Sequence, residues 1–297
     1  MPNGIIIVNK APGMTSFDVV YHIRKLYNMK KVGHTGTLDP DAVGVLPICL
    51  GKGTKVVDLL TNETKTYRAV MRLGITTDTQ DTSGTILTKR PVNVTEEQVR
   101  SALEALMGDQ MQLPPMYSAI KINGQKLVDL ARKGIEVERK PRKVHFSELK
   151  IHSIDLPEVT FEVTCSKGAY IRTLCHDAGE ALGCGAAMAH LTRTRVGSFS
   201  LENAVSLDEL REMTPEEREA RLMPVDSVFS KMPRLNAAHA AEDKLLLNGR
   251  GIRHPLSKDN DGVEFRVYTS TGDFIGIYRY EAAEQKIKLV KFFYDLS

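Results

Sequence analysis

Residues 32–47 read Val32-Gly33-His34-Thr35-Gly36-Thr37-Leu38-Asp39-Pro40-Asp41-Ala42-Val43-Gly44-Val45-Leu46-Pro47, and the rest of the chain is organised around them. Gly33, Gly36 and Gly44 open positive-φ conformations and let a ligand approach the backbone closely. Asp39 stands between Leu38 and Pro40, and Pro40 locks its own φ and restricts the residue before it, so the carboxylate sits at a stiff turn. An isolated Asp-Pro is usually surface punctuation. A glycine-rich loop of this length with one fixed carboxylate is expected to be a reactive site.

Upstream, Ile5-Ile6-Ile7-Val8 predicts a buried first strand. Thr15 or Ser16 can cap a helix carrying Val19, Val20, Ile23 and Tyr27, with Lys30 and Lys31 near its end. Downstream, a short apolar helix is expected over 56–60. Residues 65–73 alternate as a strand, with Tyr67, Ala69, Met71 and Leu73 on one face. Thr95-Glu96-Glu97-Gln98 is a capping-box pattern that opens a helix through Val99, Ala102, Leu103 and Leu106, which Gly108 would close. Residues 159–165 alternate again. Ile171, Leu174, Cys175, Ala178 and Leu182 then define an amphipathic helix ended by Gly183.

The 297 residues exceed usual single-domain size, so a large and a small domain are expected, divided at Ser230-Lys231-Met232-Pro233 into 1–230 and 231–297. Residues 208–221 read as a solvated helical pair with Pro215 inside. Beyond 233 come a helix over 237–247 and short β runs at 263–269, 274–280 and 286–293, with Ser270-Thr271-Gly272-Asp273 as a hairpin turn. No stretch has the apolar length of a membrane span, and the N-terminus lacks the features of a signal peptide. Cys49, Cys165, Cys175 and Cys184 form no Cys-x-x-Cys pair, so reduced packed thiols in a cytoplasmic protein are expected. Neither Cys184 with His190 nor Cys175 with His176 matches a common zinc spacing.

Net charge is only +3, but its distribution is uneven. Lys121, Lys126, Arg132, Lys133, Arg139, Lys140, Arg142 and Lys143 face only Asp129, Glu136 and Glu138 across 121–143. Such a cluster is commonly a solvated face. Here it directly follows Pro114-Pro115-Met116-Tyr117-Ser118, and we read 109–143 as an inserted, basic grip for phosphates.

Four segments, in order, resemble one family. Gly33-His34-Thr35-Gly36-Thr37-Leu38-Asp39-Pro40 with Ala42, Gly44, Leu46 and Pro47 is similar to the nucleophile loop of the TruB-type tRNA pseudouridine synthases. Lys65-Thr66-Tyr67-Arg68 leads to Leu73-Gly74 and Thr77-Asp78-Thr79-Gln80-Asp81. Pro114 to Lys121 resembles the family's RNA-gripping insertion. Cys165-Ser166-Lys167-Gly168-Ala169-Tyr170-Ile171-Arg172 resembles the segment that supplies an arginine. Together they span roughly the first two thirds of the chain, a density that chance matching of short motifs would not give.

The resemblance implies an α+β fold: a mixed, mostly antiparallel central sheet flanked by helices, with a small β-rich PUA-like C-terminal domain. It implies isomerisation of uridine 55 in the T-loop of tRNA, on a flipped-out nucleotide, by a cytoplasmic monomer. The reaction breaks a glycosidic bond and remakes it through carbon with no net redox change, so no metal or other cofactor is implied. Asp39 would be the nucleophile, Arg172 the cation that keeps it ionised, and Tyr67 the stacking aromatic and proton acceptor. Tyr170 and Leu191 would line the uridine pocket, and His34 would fill or brace the space of the displaced base. Lys10 and Asp81 match positions around the site as scaffold. Thr37 stands where alanine is commoner and Asp41 at a variable position. Without the resemblance, Arg172 would be a surface helix residue, Tyr67 core or rim, and Leu191 plain core.

Two other classes compete. A non-catalytic tRNA-folding chaperone would use the grip and the C-terminal domain but would not need Asp39, Tyr67 and Arg172 together. A phosphotransferase built on Asp39 and Asp41 would need a phosphate loop, and Gly51-Lys52-Gly53-Thr54 lacks that spacing. A relative working in a guide-RNA particle would share the Asp39 loop, whereas the insertion and compact C-terminus favour the stand-alone bacterial form.

Overall fold

The computed structural model describes residues 2–294. Its centre is a nine-stranded sheet. The main path runs Gly4–Lys10, Val43–Leu50, Ala186–Val196, Lys65–Leu73, Glu158–Cys165, Arg142–Asp155 and Gly108–Gln112. Neighbours on this path are antiparallel except Val43–Leu50 with Ala186–Val196, which pair in parallel at Thr192↔Val43 and Arg193↔Gly44. The expected α+β architecture with a mixed, mostly antiparallel sheet is what forms.

Period-2 alternation explains the strand at 65–73. Ala69, Met71 and Leu73 are buried, while Arg68 and Arg72 point to solvent. The buried set joins Val159, Phe161 and Val163 in one core with the helices Glu96–Glu104 and Ile171–Ala181 packed over it. Truncating a ring such as Phe161, which has no exposed surface, would cost roughly 3–5 kcal/mol. A second core lies under helix Ser16–Leu26, where Val19, Val20 and Ile23 meet Ile6, Val8, Leu46 and Ile48. The expected caps form: Thr15 with Asp18, and Thr95 with Gln98, each a reciprocal capping box.

The structure departs from the sequence reading in several places. Helix Glu96–Glu104 ends before Gly108, whose φ of 79° instead opens the strand Gly108–Gln112. The short helix is Val57–Asn62, preceded by a 3₁₀ turn at Gly51–Val56. The strands Arg142–Asp155 and Ala186–Val196 were not expected. Because Gly108–Gln112 pairs with 142–146, both ends of the 109–143 range belong to the sheet edge, and residues 113–141 form the projecting part. That part holds the hairpin Lys121–Ile122/Gln125–Lys126, turned by Asn123 and Gly124 at φ 50° and 82°, and the helix Leu127–Ala131.

After Phe229 a five-stranded sheet forms, in the order Arg234–Asn236, Glu264–Tyr268, Phe274–Glu281, Lys286–Phe292, Ile252–Arg253. Its helix is Ala240–Leu247, three residues shorter at the start than expected. This sheet is docked on the larger one. Phe293 lies 5.5 Å from both Phe229 and Phe274, and Ile277 and Phe293 share a buried cluster with Ile5, Ile7 and Val45. The connection at 230–233 is therefore a short bridge beside an apolar interface.

Candidate active site

The Asp39 loop is fixed from three sides. Ser16, at the start of helix Ser16–Leu26, accepts from the Leu38 N–H at 2.8 Å and donates to the Leu38 carbonyl at 3.3 Å. Lys10, fully buried at the end of the first strand, donates to the carbonyls of Ala11, Met14 and Pro40 at 2.9, 2.7 and 2.8 Å. Arg193, on the strand Ala186–Val196, donates to Val45, Thr37 and Gly36 carbonyls at 2.7, 3.4 and 3.2 Å. Gly44 permits this approach, because a Cβ there would lie 2.3 Å from the Arg193 carbonyl oxygen and its φ is +105°.

Asp39 meets Arg172 across the sheet. Arg172 Nε lies 3.0 Å from Oδ2 of Asp39, and Nη2 donates to Oδ1 at 3.3 Å. The remaining donors are also engaged: Nη1 reaches the Thr79 carbonyl at 2.9 Å and Asp81 Oδ2 at 3.6 Å, and Nη2 reaches the Tyr117 carbonyl at 2.9 Å. Asp81 is itself held by Thr79 and Ser83, which donate to its Oδ1. Arg172 occupies the first turn of helix Ile171–Ala181. The Gln112 side chain anchors that helix start by bonding both the N–H and the carbonyl of Tyr170 at 2.9 and 3.0 Å.

Burial sets the electrostatics. The Asp39 side chain keeps 41 % of its surface open to the cleft, yet the protein mass around it desolvates the carboxylate and raises its pKa. Arg172 and Lys10 oppose that rise, and Asp81 adds to it. Desolvation lowers Lys10 to about 8, against the pull of Asp41 and Asp39. It raises the Tyr67 phenol, which the Arg193 charge opposes. His34 is lowered by burial and then by Arg193, so the imidazole is neutral at pH 7.

Two clefts open on either side of the Asp39–Arg172 pair. One, of about 380 Å³, is lined by Asp39, Tyr67, Tyr170, Arg172, Leu191 and Arg193 together with residues 118–120 and 166–169. The other, of about 870 Å³, includes Asp39, Asp81, Tyr117, Arg132, Arg172 and Leu191. Both fall within the size range of ligand sites. Five of the six residues given a catalytic or binding role from the sequence thus line the smaller cleft. His34 does not: its Nδ1 accepts the Gly36 N–H at 3.2 Å, and the half-buried ring braces its own loop.

Sequence reasoning missed Arg193. The usable signal was its spacing from Leu191, since residues i and i+2 share a strand face. Among the described residues, no three His, Cys, Asp or Glu side chains cluster as a metal would need, and no helix is long and apolar enough to cross a membrane.

Comparison with known proteins identifies the family. The family model described as TruB family pseudouridylate synthase (N-terminal domain) matches residues 24–171, and that of the tRNA pseudouridylate synthase B C-terminal domain matches 172–230. The chain is 44 % identical over 292 residues to a tRNA pseudouridine synthase B of Clostridium tetani, covering 97 % of this chain and 99 % of that one. Those of Alkaliphilus oremlandii and Burkholderia pseudomallei are each 45 % identical, covering 99 % and 93 % of both partners respectively. A chain in the crystal structure of a Cbf5-Nop10-Gar1 complex superposes with a TM-score of 0.70 at 26 % identity, covering 99 % of this chain and 85 % of that chain. With the two family models laid end to end around Arg172 and relatives matching over nearly the full length, the chain belongs to the TruB family of pseudouridylate synthases.

Proposed function

We propose that the chain is a tRNA pseudouridine synthase that isomerises uridine 55 of the T-loop to pseudouridine, with Asp39 as the reacting carboxylate. One observation carries this reading: Asp39 is gripped through both oxygens by a buried arginine on the wall common to two clefts. Relatives that match from end to end bear the name tRNA pseudouridine synthase B.

In the reaction the N1–C1′ bond breaks, the uracil turns, and a C5–C1′ bond forms while the C5 proton leaves and N1 regains one. Atoms and electrons balance without a redox partner. Asp39 attacks or stabilises the cleaved nucleoside, and the fixed charge of Arg172 keeps it ionised beside RNA phosphates, which would otherwise raise its pKa further. Tyr67 and Leu191 flank the base in the smaller cleft, with Tyr170 at its mouth. Tyr67 also relays the C5 proton, its hydroxyl oxygen accepting it as the hydroxyl's own proton passes on toward N1. His34 holds the loop in shape through Gly36. The basic segment 113–141 meets the T-arm, its exposed Lys121, Lys126, Arg132 and Lys133 facing phosphates. Residues 1–230 act as the catalytic domain and 231–297 as a PUA-like RNA-binding domain, in a cytoplasmic monomer.

The test is tritium release from a tRNA transcript carrying 5-tritiated uridine, wild type against Asp39→Asn. Release by wild type alone, mapped to one T-loop uridine, supports the proposal. Equal release by both proteins moves the chemistry away from Asp39. Absence of release by either, with tRNA binding intact, leaves the folding-chaperone reading in its place.

A further inference from the structure

Arg193 is the buried group that the reaction above does not use. Its residue is 1 % exposed, and it makes no ion pair with a carboxylate among the described residues. A cation in that position is a liability, since a well-packed apolar side chain of similar volume is often as stable or more so. Besides a side-chain hydrogen bond with Tyr67, the guanidinium is matched to carbonyl oxygens, and those belong to one loop. Gly36 and Thr37 precede Asp39, and Val45 follows it. The planar fork therefore spans both limbs of the loop, a geometry that an ammonium group at a single point does not reproduce. The parallel register Arg193↔Gly44 brings the backbones together, and the antiparallel register Arg193↔Tyr67 sets the same residue beside Tyr67. Arg193 also lines the smaller cleft with both Asp39 and Tyr67.

We propose that Arg193 is a positioning residue of the active site: its guanidinium staples the two limbs of the Asp39 loop and fixes the carboxylate opposite Tyr67. This rests on the function proposed above, because it assigns Arg193 to the reaction that Asp39 performs. The same charge reaches two neighbours. It opposes the upward push of burial on the Tyr67 phenol and reinforces the downward push on His34.

The experiment compares wild type, Arg193→Met and Arg193→Lys in single-turnover tritium release, tRNA binding, thermal unfolding and the titration of His34 followed by NMR. Arg193→Met is expected to lose about 100-fold in rate, the usual consequence of a reacting group displaced by about 1 Å, with tRNA affinity held within about threefold. Arg193→Lys should lie between the two. The His34 titration should move to higher pH in Arg193→Met and stay near wild type in Arg193→Lys, a change that a purely structural side chain would not produce. A folded Arg193→Met that reacts within about twofold of wild type, with His34 unmoved, overturns the inference while leaving the proposed function intact. Failure of both variants to fold assigns Arg193 to the core and also overturns it. Lack of release by wild type itself removes the proposed function, and this role with it.

Discussion

Replacing Arg172 by methionine isolates the electrostatic work of the guanidinium. Its nitrogens lie 3.0 and 3.3 Å from the two Asp39 oxygens. At an effective dielectric constant near 20, two unit charges about 4 Å apart attract by about 4 kcal/mol. The Asp39 side chain is 41 % open to the cleft, so solvent screening reduces this to about 2 kcal/mol, or roughly 30-fold in the ionisation constant. Arg172 also holds the Thr79 and Tyr117 carbonyls, and losing those contacts loosens the walls of both clefts, a displacement worth about 100-fold in rate.

The direction with pH follows from the sign of the Asp39 shift. Its folded pKa already lies above the ordinary carboxylate value because burial outweighs Arg172, and in the proposed mechanism the ionised form is the reactive one. Activity therefore falls as pH drops through that raised pKa. Removing Arg172 lifts the pKa further and moves the acid limb to higher pH. Single-turnover tritium release measured from about pH 5 to about pH 9 should show Arg172→Met at least about 100-fold slow near neutrality, regaining part of the loss as pH rises. The ionised Asp39 is also a cost to the fold, present above the folded pKa and relieved below it. A profile for Arg172→Met that lies parallel to wild type, with the same acid limb, would refute this account of the pair.

Three further outcomes follow from the geometry. Lys10 as an ammonium has three donors for three carbonyls, and above about pH 8 it becomes an amine with two; activity should decline through that range, and Lys10→Met should abolish the alkaline limb. Persistence of the limb in the variant would transfer it to Lys65, also lowered to about 8 by burial. Gly44→Ala places a Cβ 2.3 Å from the Arg193 carbonyl at a φ of +105°, so urea denaturation should show a loss of roughly 2–4 kcal/mol together with activity; unchanged stability would mean that the approach is looser than described. The four cysteines are all buried, with Cys49 and Cys165 pushed up to about 12, so a thiol reagent at pH 8 should label none of them until the protein unfolds.

What was legible in the sequence is what depends on neighbours in the chain. The caps at Thr15 and Thr95 join residues three apart, and the stiff turn at Asp39-Pro40 is a property of the dipeptide itself. The strand Ala186–Val196 was not legible. Ala186-Ala187-Met188-Ala189-His190-Leu191-Thr192-Arg193 lacks a clean apolar alternation, and its register slips at Met188/His190 and at Arg193/Arg195. That strand is nevertheless central to the sheet, and it delivers Leu191 and Arg193 to the cleft. The start of Arg142–Asp155 was hidden for a different reason: its basic residues fit a solvated grip as well as a sheet edge. The pairing of Asp39 with Arg172 spans 133 positions. Such a distance leaves no mark in spacing, and only the resemblance of two separate motifs to one family joined them.

The charge arrangement shows why a nearly neutral chain can still receive a polyanion. Lys10, Arg172 and Arg193 are all buried; Arg172 faces Asp39 and Asp81, and Lys10 feels Asp41 and then Asp39. Backbone carbonyls accept most of the other bonds, three from Lys10, three from Arg193 and two from Arg172, and Tyr67 shares a further one with Arg193. Carbonyl dipoles stabilise a cation without cancelling its charge, and the smaller cleft is lined by Lys65, Lys167, Arg172 and Arg193 against Asp39, so its wall is cationic while the molecule as a whole carries only +3. An entering phosphate would push Asp39 toward its neutral form, and this fixed excess opposes that push before substrate arrives. The carbonyls that make the excess tolerable belong chiefly to the Asp39 loop and the segments touching it. Loop shape and carboxylate charge are therefore held by the same three side chains, and neither can be altered without the other.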